Sequence, residues 1–180
     1  SFLDKPIIDS LRQLAAKQGR KEWLLGRQGG GYEKCALQIR VKGKPTIGSL
    51  VDSELVSEHV YRSLCLITST ATQSDQAYNY MIQDLPSAEG SDSYFLRCGA
   101  GISVPPHTDP SMAGLEHHRL NVLLSTDHKG GDVFIAGDRI NWEVGDALIF
   151  RPDNQLHEVL EVTSGDRLIW SVGCIIPAPG

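Results

Sequence analysis

A short motif in this sequence of 180 residues could bind a metal ion: His107-Thr108-Asp109, with His157 following fifty positions after His107. Residues i and i+2 of an extended segment point to the same side, so His107 and Asp109 could offer an imidazole nitrogen and a carboxylate oxygen to one ion. His157, from a distant strand, would complete one face of an octahedron. This set, called the ligand triad below, leaves positions open, as is typical of non-haem iron(II) that activates oxygen. A structural zinc site would need four ligands, usually with thiolates, and the sequence offers no matching set.

Arg167 follows His157 by ten residues. Its planar guanidinium can bind a carboxylate through two parallel hydrogen bonds and keeps its charge. If the last two predicted strands are antiparallel neighbours joined by a turn at 163–166, Arg167 lies near that turn and must reach back to meet a ligand on the metal. The alternative is a surface arginine paired with Asp166 or Glu161, an arrangement that contributes little to stability.

The second half of the chain, from about residue 92, consists of short apolar runs separated by Gly, Pro, Asp and Asn. Such runs without intervening helices predict an antiparallel sandwich or barrel. Gly137-Asp138, between two apolar runs, predicts a two-residue hairpin turn. The predicted strands cover residues 94–98, 102–105, 119–125, 132–135, 139–142, 147–150, 156–162 and 167–175.

The first half of the chain predicts two helices and one strand. Apolar residues recur at helical spacing over 4–17 and 53–67, and Asp52 is the expected N-cap of the second helix. Residues 35–41 alternate apolar and polar, as a half-buried strand does. The glycines at 29–31 lack the Lys-Ser/Thr pair of a phosphate-binding loop and are interpreted as a flexible loop. We therefore expect a mainly β protein with flanking helices (α+β), in which the N-terminal helices cover one outer face of a sheet.

Length and composition limit the possible classes of protein. The length fits one domain over 1–180, with an N-terminal part at 1–91 and a strand-rich core at 92–180. The net charge of −5 argues against binding to a nucleic-acid backbone. No stretch approaches the roughly 20 apolar residues that span a bilayer, and no signal peptide is visible. Four scattered cysteines without a C-x-x-C pair predict a reducing, cytoplasmic location.

Five motifs in chain order resemble the double-stranded β-helix (jelly-roll, cupin-like barrel) of the iron(II)- and 2-oxoglutarate-dependent oxygenases, especially their prolyl-hydroxylase-like branch. The resemblance covers about 80 residues, and the order of the motifs is more specific than any one of them. The motifs are Leu96-Arg97-Cys98-Gly99-Ala100-Gly101 with Pro106-His107-Thr108-Asp109; Arg119-Leu120-Asn121-Val122-Leu123-Leu124; Gly130-Gly131-Asp132; Gly145-Asp146-Ala147-Leu148-Ile149-Phe150; and His157-Glu158-Val159 followed by Arg167.

The resemblance implies roles for six residues. The catalytic iron(II) ligands are His107, Asp109 and His157; the residue that binds the distal carboxylate of 2-oxoglutarate is Arg167; the strand residues that face this co-substrate are Asn121 and Ser125. Two positions depart from the pattern: Cys98 and Ser125 stand where many prolyl hydroxylases have tyrosines that help to hold the 2-oxoglutarate carboxylate. Halogenases of the same family replace the carboxylate ligand with a small residue, so Asp109 favours hydroxylation.

The implied activity is hydroxylation of an unactivated carbon, coupled to conversion of 2-oxoglutarate and O2 into succinate and CO2, with ascorbate as a candidate reductant. The leading substrate is a prolyl or other amino-acid residue in a peptide or protein, and a free amino acid or small metabolite is the second candidate. Two rival functions also fit the barrel: a cupin-type metalloenzyme that does not use 2-oxoglutarate, and a non-catalytic binding module. The sequence gives no indication of oligomeric state.

Three further residues lie at or just before the start of the next predicted strand. His117 and His118 are interpreted as exposed loop residues rather than substrate contacts. Arg119 begins the strand and could bind an acidic group of a substrate.

Overall fold

Two sheets, a short ribbon and two helices make up the part of the chain that the computed structural model describes, which is residues 1–41, 44–45, 54–72 and 90–178. The helices are α1 (Lys5–Lys17) and α2 (Glu54–Thr72), and a 3-10 turn covers Arg20–Glu22. The strands are β1 (Trp23–Leu25), β2 (Glu33–Val41), β3 (Lys44–Pro45), β4 (Gly90–Cys98), β5 (Val104–His107), β6 (Leu115–Leu123), β7 (Lys129–Gly130), β8 (Val133–Ile135), β9 (Asp138–Arg139), β10 (Ala147–Phe150), β11 (His157–Val159), β12 (Val162–Ser164) and β13 (Arg167–Pro177).

The large sheet has the strand order β1-β2-β4-β13-β6-β10, with β3 also paired to β2. Its central strand β13 is antiparallel to β4, with Arg167 opposite Cys98, and to β6, with Ile169 opposite Leu123. Strands β1, β2 and β3 come from the predicted N-terminal part, so this part extends the sheet of the core as well as supplying helices. Together the sheets form the expected double-stranded β-helix with flanking helices.

The small sheet has the order β5-β11-β8-β9 and carries two of the three triad residues. In it His157 lies opposite His107 on one side and opposite Ile135 on the other. The predicted single strand over 156–162 is wrong, because β11 belongs to this sheet whereas β12 pairs with β7 in a separate ribbon. The chain changes partners between them: the Leu160 N–H donates to the Asp132 carbonyl and the Val162 N–H to the Ile102 carbonyl. Neither β11 nor β12 pairs with β13, so the predicted antiparallel neighbours are not neighbours.

The helices cover the outer face of the large sheet, as predicted. Helix α1 begins after Asp4, whose carboxylate accepts a hydrogen bond from the Ile7 N–H. Helix α2 continues five residues beyond the predicted end, and its predicted N-cap, Asp52, lies outside the described residues. The apolar stripes that predicted the helices are the faces they bury. The main buried contacts of helices and sheet are Ile8, Leu11, Val56, Val60, Leu64, Ile67, Leu120, Trp170 and Val172.

One polar pair lies in this apolar core. His59 of α2 is 2% exposed, and its ring meets the indole of Trp170 edge-on at 6.5 Å between centroids. Neither ring nitrogen of His59 nor the Trp170 Nε1 has a hydrogen-bond partner among the described residues. Burial lowers the pKa of His59 below its ordinary value of 6.5. The imidazole is therefore held in its neutral form between helix and sheet.

The turns differ in detail from the sequence interpretation. The hairpin between β8 and β9 turns at Ala136-Gly137, one residue earlier than predicted, and both residues have positive φ (51° and 85°). Two positive φ values are typical of a type I′ turn, which matches the twist of the strands. Asp138 is therefore a strand residue opposite Ile135.

Of the glycines at 29–31, Gly30 and Gly31 pack tightly against residues 102–105, at the start of β5, instead of forming a free loop. All three have positive φ, which only glycine adopts readily. The Gly30 carbonyl accepts a hydrogen bond from the Ser103 N–H at 3.3 Å, and a Cβ at Gly30 would overlap the Ser103 carbonyl oxygen. This glycine loop ties the hairpin of β1 and β2 to the segment that leads into His107.

Candidate active site

The fold brings the ligand triad together. His107 ends β5, Asp109 follows two residues later, and His157 begins the paired strand β11. One ligand atom from each of the three residues lies within 4.8 Å of the others. His107 Nε2 is 3.3 Å and His157 Nε2 is 3.9 Å from the same oxygen, Asp109 Oδ1. His107 and His157, fifty positions apart in sequence, are therefore direct cross-strand partners.

Backbone carbonyls fix the tautomers of both histidines. His107 Nδ1 lies 2.8 Å from the Pro105 carbonyl oxygen, and His157 Nδ1 lies 2.8 Å from that of Gln155. A carbonyl oxygen only accepts hydrogen bonds, so each Nδ1 carries a hydrogen, and in the neutral rings each Nε2 keeps a lone pair directed toward Asp109. Protonated His107 carries a second hydrogen on Nε2 and donates it to Asp109. Such support is the usual second contact of a metal-binding histidine. The donor set of two imidazoles and one carboxylate fits iron(II).

The charge states also suit a cation. Burial alone would raise the pKa of Asp109, but the hydrogen bond with His107 and the neighbouring histidines lower it overall. The hydrogen bond with Asp109 raises the pKa of His107, whereas burial lowers the pKa of His157. The Asp109 backbone N–H donates to the Pro152 carbonyl at 2.8 Å. The carboxylate is therefore ionised and its backbone is anchored.

Arg167 lies with the triad in one cavity of about 520 Å³. It is 3% exposed, its guanidinium contacts the Cys98 thiol, and it forms no ion pair with any carboxylate of the described residues. Burial lowers its pKa to about 10, which still leaves it charged at neutral pH. Gly131 makes room for the side chain, because a Cβ there would meet Arg167 Cδ at 2.7 Å. The alternative of a surface arginine paired with Asp166 or Glu161 is therefore wrong.

Asn121 and Ser125, the other predicted co-substrate contacts, have different positions. Asn121 lines the cavity, where its Oδ1 accepts a hydrogen bond from the Ser171 hydroxyl at 2.5 Å. Ser125 lies beyond the end of β6 and outside the cavity lining. Its hydroxyl accepts from the Leu168 N–H at 2.8 Å and contacts His128 Nδ1 at 3.0 Å. The geometry thus agrees with the prediction for Asn121 and does not favour the one for Ser125.

Sequence reasoning missed a buried network beside the triad. Arg119 is 5% exposed and donates to Asp92 at 2.6 Å and to the Ser171 hydroxyl at 2.8 Å, while its guanidinium stacks 4.6 Å from the Tyr94 ring centroid. Burial lowers and Asp92 raises the pKa of Arg119, and the net shift is upward because the Asp92 carboxylate is joined by other negative groups. The alternation of His117, Arg119 and Asn121 in β6, every second residue on one face, is the signal that predicts a shared orientation.

The interpretation of His117 and His118 as exposed loop residues is wrong, since both belong to β6. The His118 side chain is 8% exposed and its Nε2 lies 2.7 Å from Glu116. The His117 side chain is 15% exposed and lies between Asp109 and Arg119. Burial lowers the pKa of His117 to about 4, and the Arg119 cation acts in the same direction.

Comparison with models of known protein families identifies the family of the chain. A family model described as aspartyl/asparaginyl β-hydroxylase matches residues 69–177, more than half of the sequence and the whole of the triad. The chain belongs to the aspartyl/asparaginyl β-hydroxylase family. This family is one of hydroxylases, so the expectation of an oxygenase enzyme is confirmed. A comparison with curated protein sequences gives no match.

Solved structures share the fold of this aspartyl/asparaginyl β-hydroxylase family member. A prolyl-4-hydroxylase of Pseudomonas putida is 17% identical, with a TM-score of 0.64 over 99% of this chain and 90% of its own. An oxidoreductase of the 2OG-Fe(II) oxygenase family from Burkholderia pseudomallei is 16% identical, with a TM-score of 0.63 over 99% and 82%. The viral collagen prolyl hydroxylase of Paramecium bursaria Chlorella virus-1, in complex with 2OG, is 16% identical, with a TM-score of 0.60 over 97% and 92%.

These findings confirm the predicted fold and the oxygenase superfamily. The donor set of the triad, two imidazoles and one carboxylate, fits iron(II). None of the helices in the described residues combines the length and apolar composition that a membrane crossing requires.

Proposed function

We propose that the chain is an iron(II)- and 2-oxoglutarate-dependent dioxygenase that hydroxylates an amino-acid side chain within a peptide or protein. One observation carries the proposal: a cavity holds three ligand atoms within 4.8 Å of one another together with a buried arginine that has no carboxylate partner among the described residues. A buried cation without an anion is costly, and the distal carboxylate of 2-oxoglutarate would neutralise it.

The residues of the cavity have separate tasks. The triad would hold iron(II), which supplies the activation of oxygen, coupled to conversion of 2-oxoglutarate and O2 into succinate and CO2. Arg167 binds the far carboxylate of the co-substrate through its two-nitrogen fork. Ile135, Leu148, Phe150 and Ile169 form an apolar wall that excludes water from the bound co-substrate. No side chain of the cavity is assigned as a general base.

The cavity wall favours a substrate side chain that accepts hydrogen bonds. Arg27 and Lys34 line it, and Lys34 Nζ lies 4.4 Å from the centroid of the Tyr94 ring without an ion pair to any described carboxylate. Cations of this kind suit the carboxylate or amide of an aspartyl or asparaginyl residue better than a pyrrolidine ring. We therefore place aspartyl or asparaginyl residues first, as the family description suggests, and the prolyl residue expected from the sequence second.

Succinate formation tests the proposed class of reaction. The purified protein with iron(II), ascorbate and 2-oxoglutarate under air is expected to release succinate slowly, and His107→Ala is expected to release none, because an incomplete triad loses the metal. If the wild-type protein loads with iron yet neither turns over nor binds 2-oxoglutarate by calorimetry, a cupin-type enzyme or a binding module replaces this proposal.

A matched peptide panel tests the substrate. Three peptides identical except for a central Asp, Asn or Pro, together with the free amino acids, are incubated with the enzyme and analysed by mass spectrometry for the gain of one oxygen atom. We expect gain in the Asp or Asn peptide, located on that residue by fragmentation. Gain only in the Pro peptide would support the second substrate, and gain only in a free amino acid would exclude a polypeptide substrate.

A further inference from the structure

The two carboxylate oxygens of Asp109 face different groups. Oδ1 faces the triad histidines, at 3.3 Å from His107 Nε2 and 3.9 Å from His157 Nε2. Oδ2 faces a residue outside the triad, His117, whose Nδ1 is 3.6 Å away. One oxygen is thus directed at the metal position and the other at a neighbouring imidazole.

The other nitrogen of His117 determines which hydrogen the ring carries. His117 Nε2 lies 3.4 Å from Nη2 of Arg119. A guanidinium has donors and no acceptor, so Nε2 must be the accepting nitrogen. The ring hydrogen of neutral His117 is therefore on Nδ1, the nitrogen that faces Asp109. The 3.6 Å contact is longer than a hydrogen bond, and such contacts at reactive sites often shorten when the ligands bind.

Arg119 is itself fixed, so it can hold His117 in place. Asp92 and Ser171 accept its hydrogen bonds at 2.6 and 2.8 Å. The guanidinium crosses the central strand at Gly173, where a Cβ would overlap Nη2. These contacts leave the guanidinium little freedom to withdraw from His117.

The backbone of His117 has an anchor of its own. Its N–H donates to Asp153 Oδ2 at 3.2 Å, and the Arg151 guanidinium binds the same carboxylate through two hydrogen bonds of 2.9 Å. Both the ring and the main chain of His117 are therefore held by neighbours on β6 and on the loop after β10.

We propose that His117 is a positioning residue for the metal ligand Asp109. It donates from Nδ1 to Oδ2 and so keeps Oδ1 directed at the metal, while Arg119 fixes the required tautomer from the other side. The inference rests on the proposed function, because it assigns Asp109 as a ligand. Residues that hold metal ligands in this way typically change metal affinity by about 10–100-fold when they are replaced.

Three substitutions at this position separate the two contacts of the ring. His117→Asn places an amide nitrogen near the position of Nδ1 and keeps a donor for Asp109. His117→Gln places its amide near the position of Nε2 and keeps only the contact with Arg119. His117→Leu keeps neither. Co(II) binding to each metal-free protein is measured by calorimetry and by the visible absorption of bound Co(II), with unfolding curves to verify that each variant is folded.

We expect the Co(II) affinity of the Asn variant to be within a few-fold of that of the wild type. The Gln and Leu variants should bind Co(II) about 10–100-fold more weakly, with a changed absorption spectrum. Wild-type affinity in the Gln variant, or equal weakness in Asn and Leu, would overturn the proposal. The tautomer gives a test without any variant: nitrogen-15 shifts of His117 in the metal-free protein should show hydrogen on Nδ1, and hydrogen on Nε2 would contradict the inference.

The same titrations distinguish failure of this inference from failure of the proposed function. Suppose that the wild type binds Co(II), that His107→Ala abolishes binding, and that every His117 variant has the Co(II) affinity of the wild type. The triad is then confirmed as the metal site, and the proposed role of His117 is wrong. If the wild type binds no metal, the proposed function falls as well.

Discussion

Arg167 is the residue whose environment says most about the ligand of the cavity. A buried guanidinium without an acidic partner destabilises the fold, and proteins keep such charges where a ligand supplies the missing anion. Sequence spacing placed an arginine after the last triad residue, but it could not tell a surface position from a buried one. The burial, the contact with Cys98 and the space above Gly131 are tertiary properties.

Arg167→Met should separate stability from co-substrate binding. Removing the unpaired buried charge is expected to raise the melting temperature of the ligand-free protein, while the 2-oxoglutarate concentration needed for half-maximal binding rises roughly 30-fold or more, from about 2–5 kcal/mol of lost binding. Thermal unfolding with and without 2-oxoglutarate measures both effects. Arg97→Met is the control, since the Arg97 side chain is 34% exposed and paired with Glu33. A variant that 2-oxoglutarate still stabilises like the wild type would remove Arg167 as the anchor.

Strand β13 carries the active-site face and the core face of the large sheet on alternate residues. Arg167, Ile169 and Ser171 face the cavity or its network, whereas Trp170 and Val172 pack under the helices. A substitution in this part of β13 therefore lies beside the cavity network at an odd-numbered position and beside the core at an even-numbered one.

Gly173→Ala tests how closely the strand and Arg119 fit. The added Cβ would overlap Arg119 Nη2 and lie 2.6 Å from Cζ, so the guanidinium must leave its hydrogen bonds to Asp92 and Ser171. We expect a loss of about 1–3 kcal/mol in the free energy of unfolding, together with weaker metal binding. Urea unfolding and Co(II) titration measure these quantities. Gly19→Ala is the control, because nothing lies within 4 Å of a Cβ there; equal effects of the two changes would contradict the expectation.

The packing of α2 on the sheet predicts a pH dependence through His59. The pKa of His59 is lowered in the folded state from its ordinary value of 6.5, so the unfolded state takes up a proton first as the pH falls. The contribution of neutral His59 to the free energy of unfolding is fully present above pH 6.5. It is lost as the pH falls through 6.5 toward the folded-state pKa. Nearby Glu58 and Asp4 oppose this effect and Arg62 adds to it.

His59→Phe should remove this part of the acid sensitivity. Denaturant unfolding of the metal-free protein is compared at two pH values, about one unit above and one unit below the ordinary histidine pKa. The variant is expected to lose less stability than the wild type between them. The comparison cancels the titration of the triad histidines, which both proteins share. An equal loss in the two proteins would mean that the buried imidazole is protonated without cost, for instance through a partner acquired in solution.

The sequence predicted elements better than their partners. Helical spacing of apolar residues predicted α1 and α2 because these apolar stripes are the faces that the helices bury. The order of the motifs predicted the triad because metal binding allows few residue types. The pairing of β11 and β12 with different strands was not predictable, since a break between two short strands at Leu160 depends on backbone hydrogen bonds to Asp132 and Ile102. The Arg119 network was missed for a similar reason, since Asp92 and Ser171 are distant in sequence.

At the scale of the whole molecule, the predicted compartment can be tested through the four cysteines. The four cysteines are free, and all but Cys65 are buried. Burial raises the pKa of Cys35 to about 11 and that of Cys174 to about 12, so neither forms a reactive thiolate near neutral pH. The cytoplasmic location and the single domain over 1–180 remain predictions.

A thiol-reactive dye should distinguish native from unfolded protein. We expect Cys65 to react alone and slowly in the native state and all four thiols to react in denaturant, with the same melting temperature in the presence and absence of a reductant. Cys65→Ser is the control and should abolish the native reaction. A melting temperature that falls on reduction would instead indicate a disulfide and contradict the predicted compartment.

The pairing of His107 with His157 has a consequence for assembly of the small sheet. Both strands are short, and a slip of one residue would turn His157 to the opposite face. A metal ion bound by both imidazoles would stabilise the correct register of the two strands. Amide hydrogens of β5 and β11 should therefore exchange more slowly once the ion is bound, and a cell short of iron would hold this protein in a form whose smaller sheet opens more often.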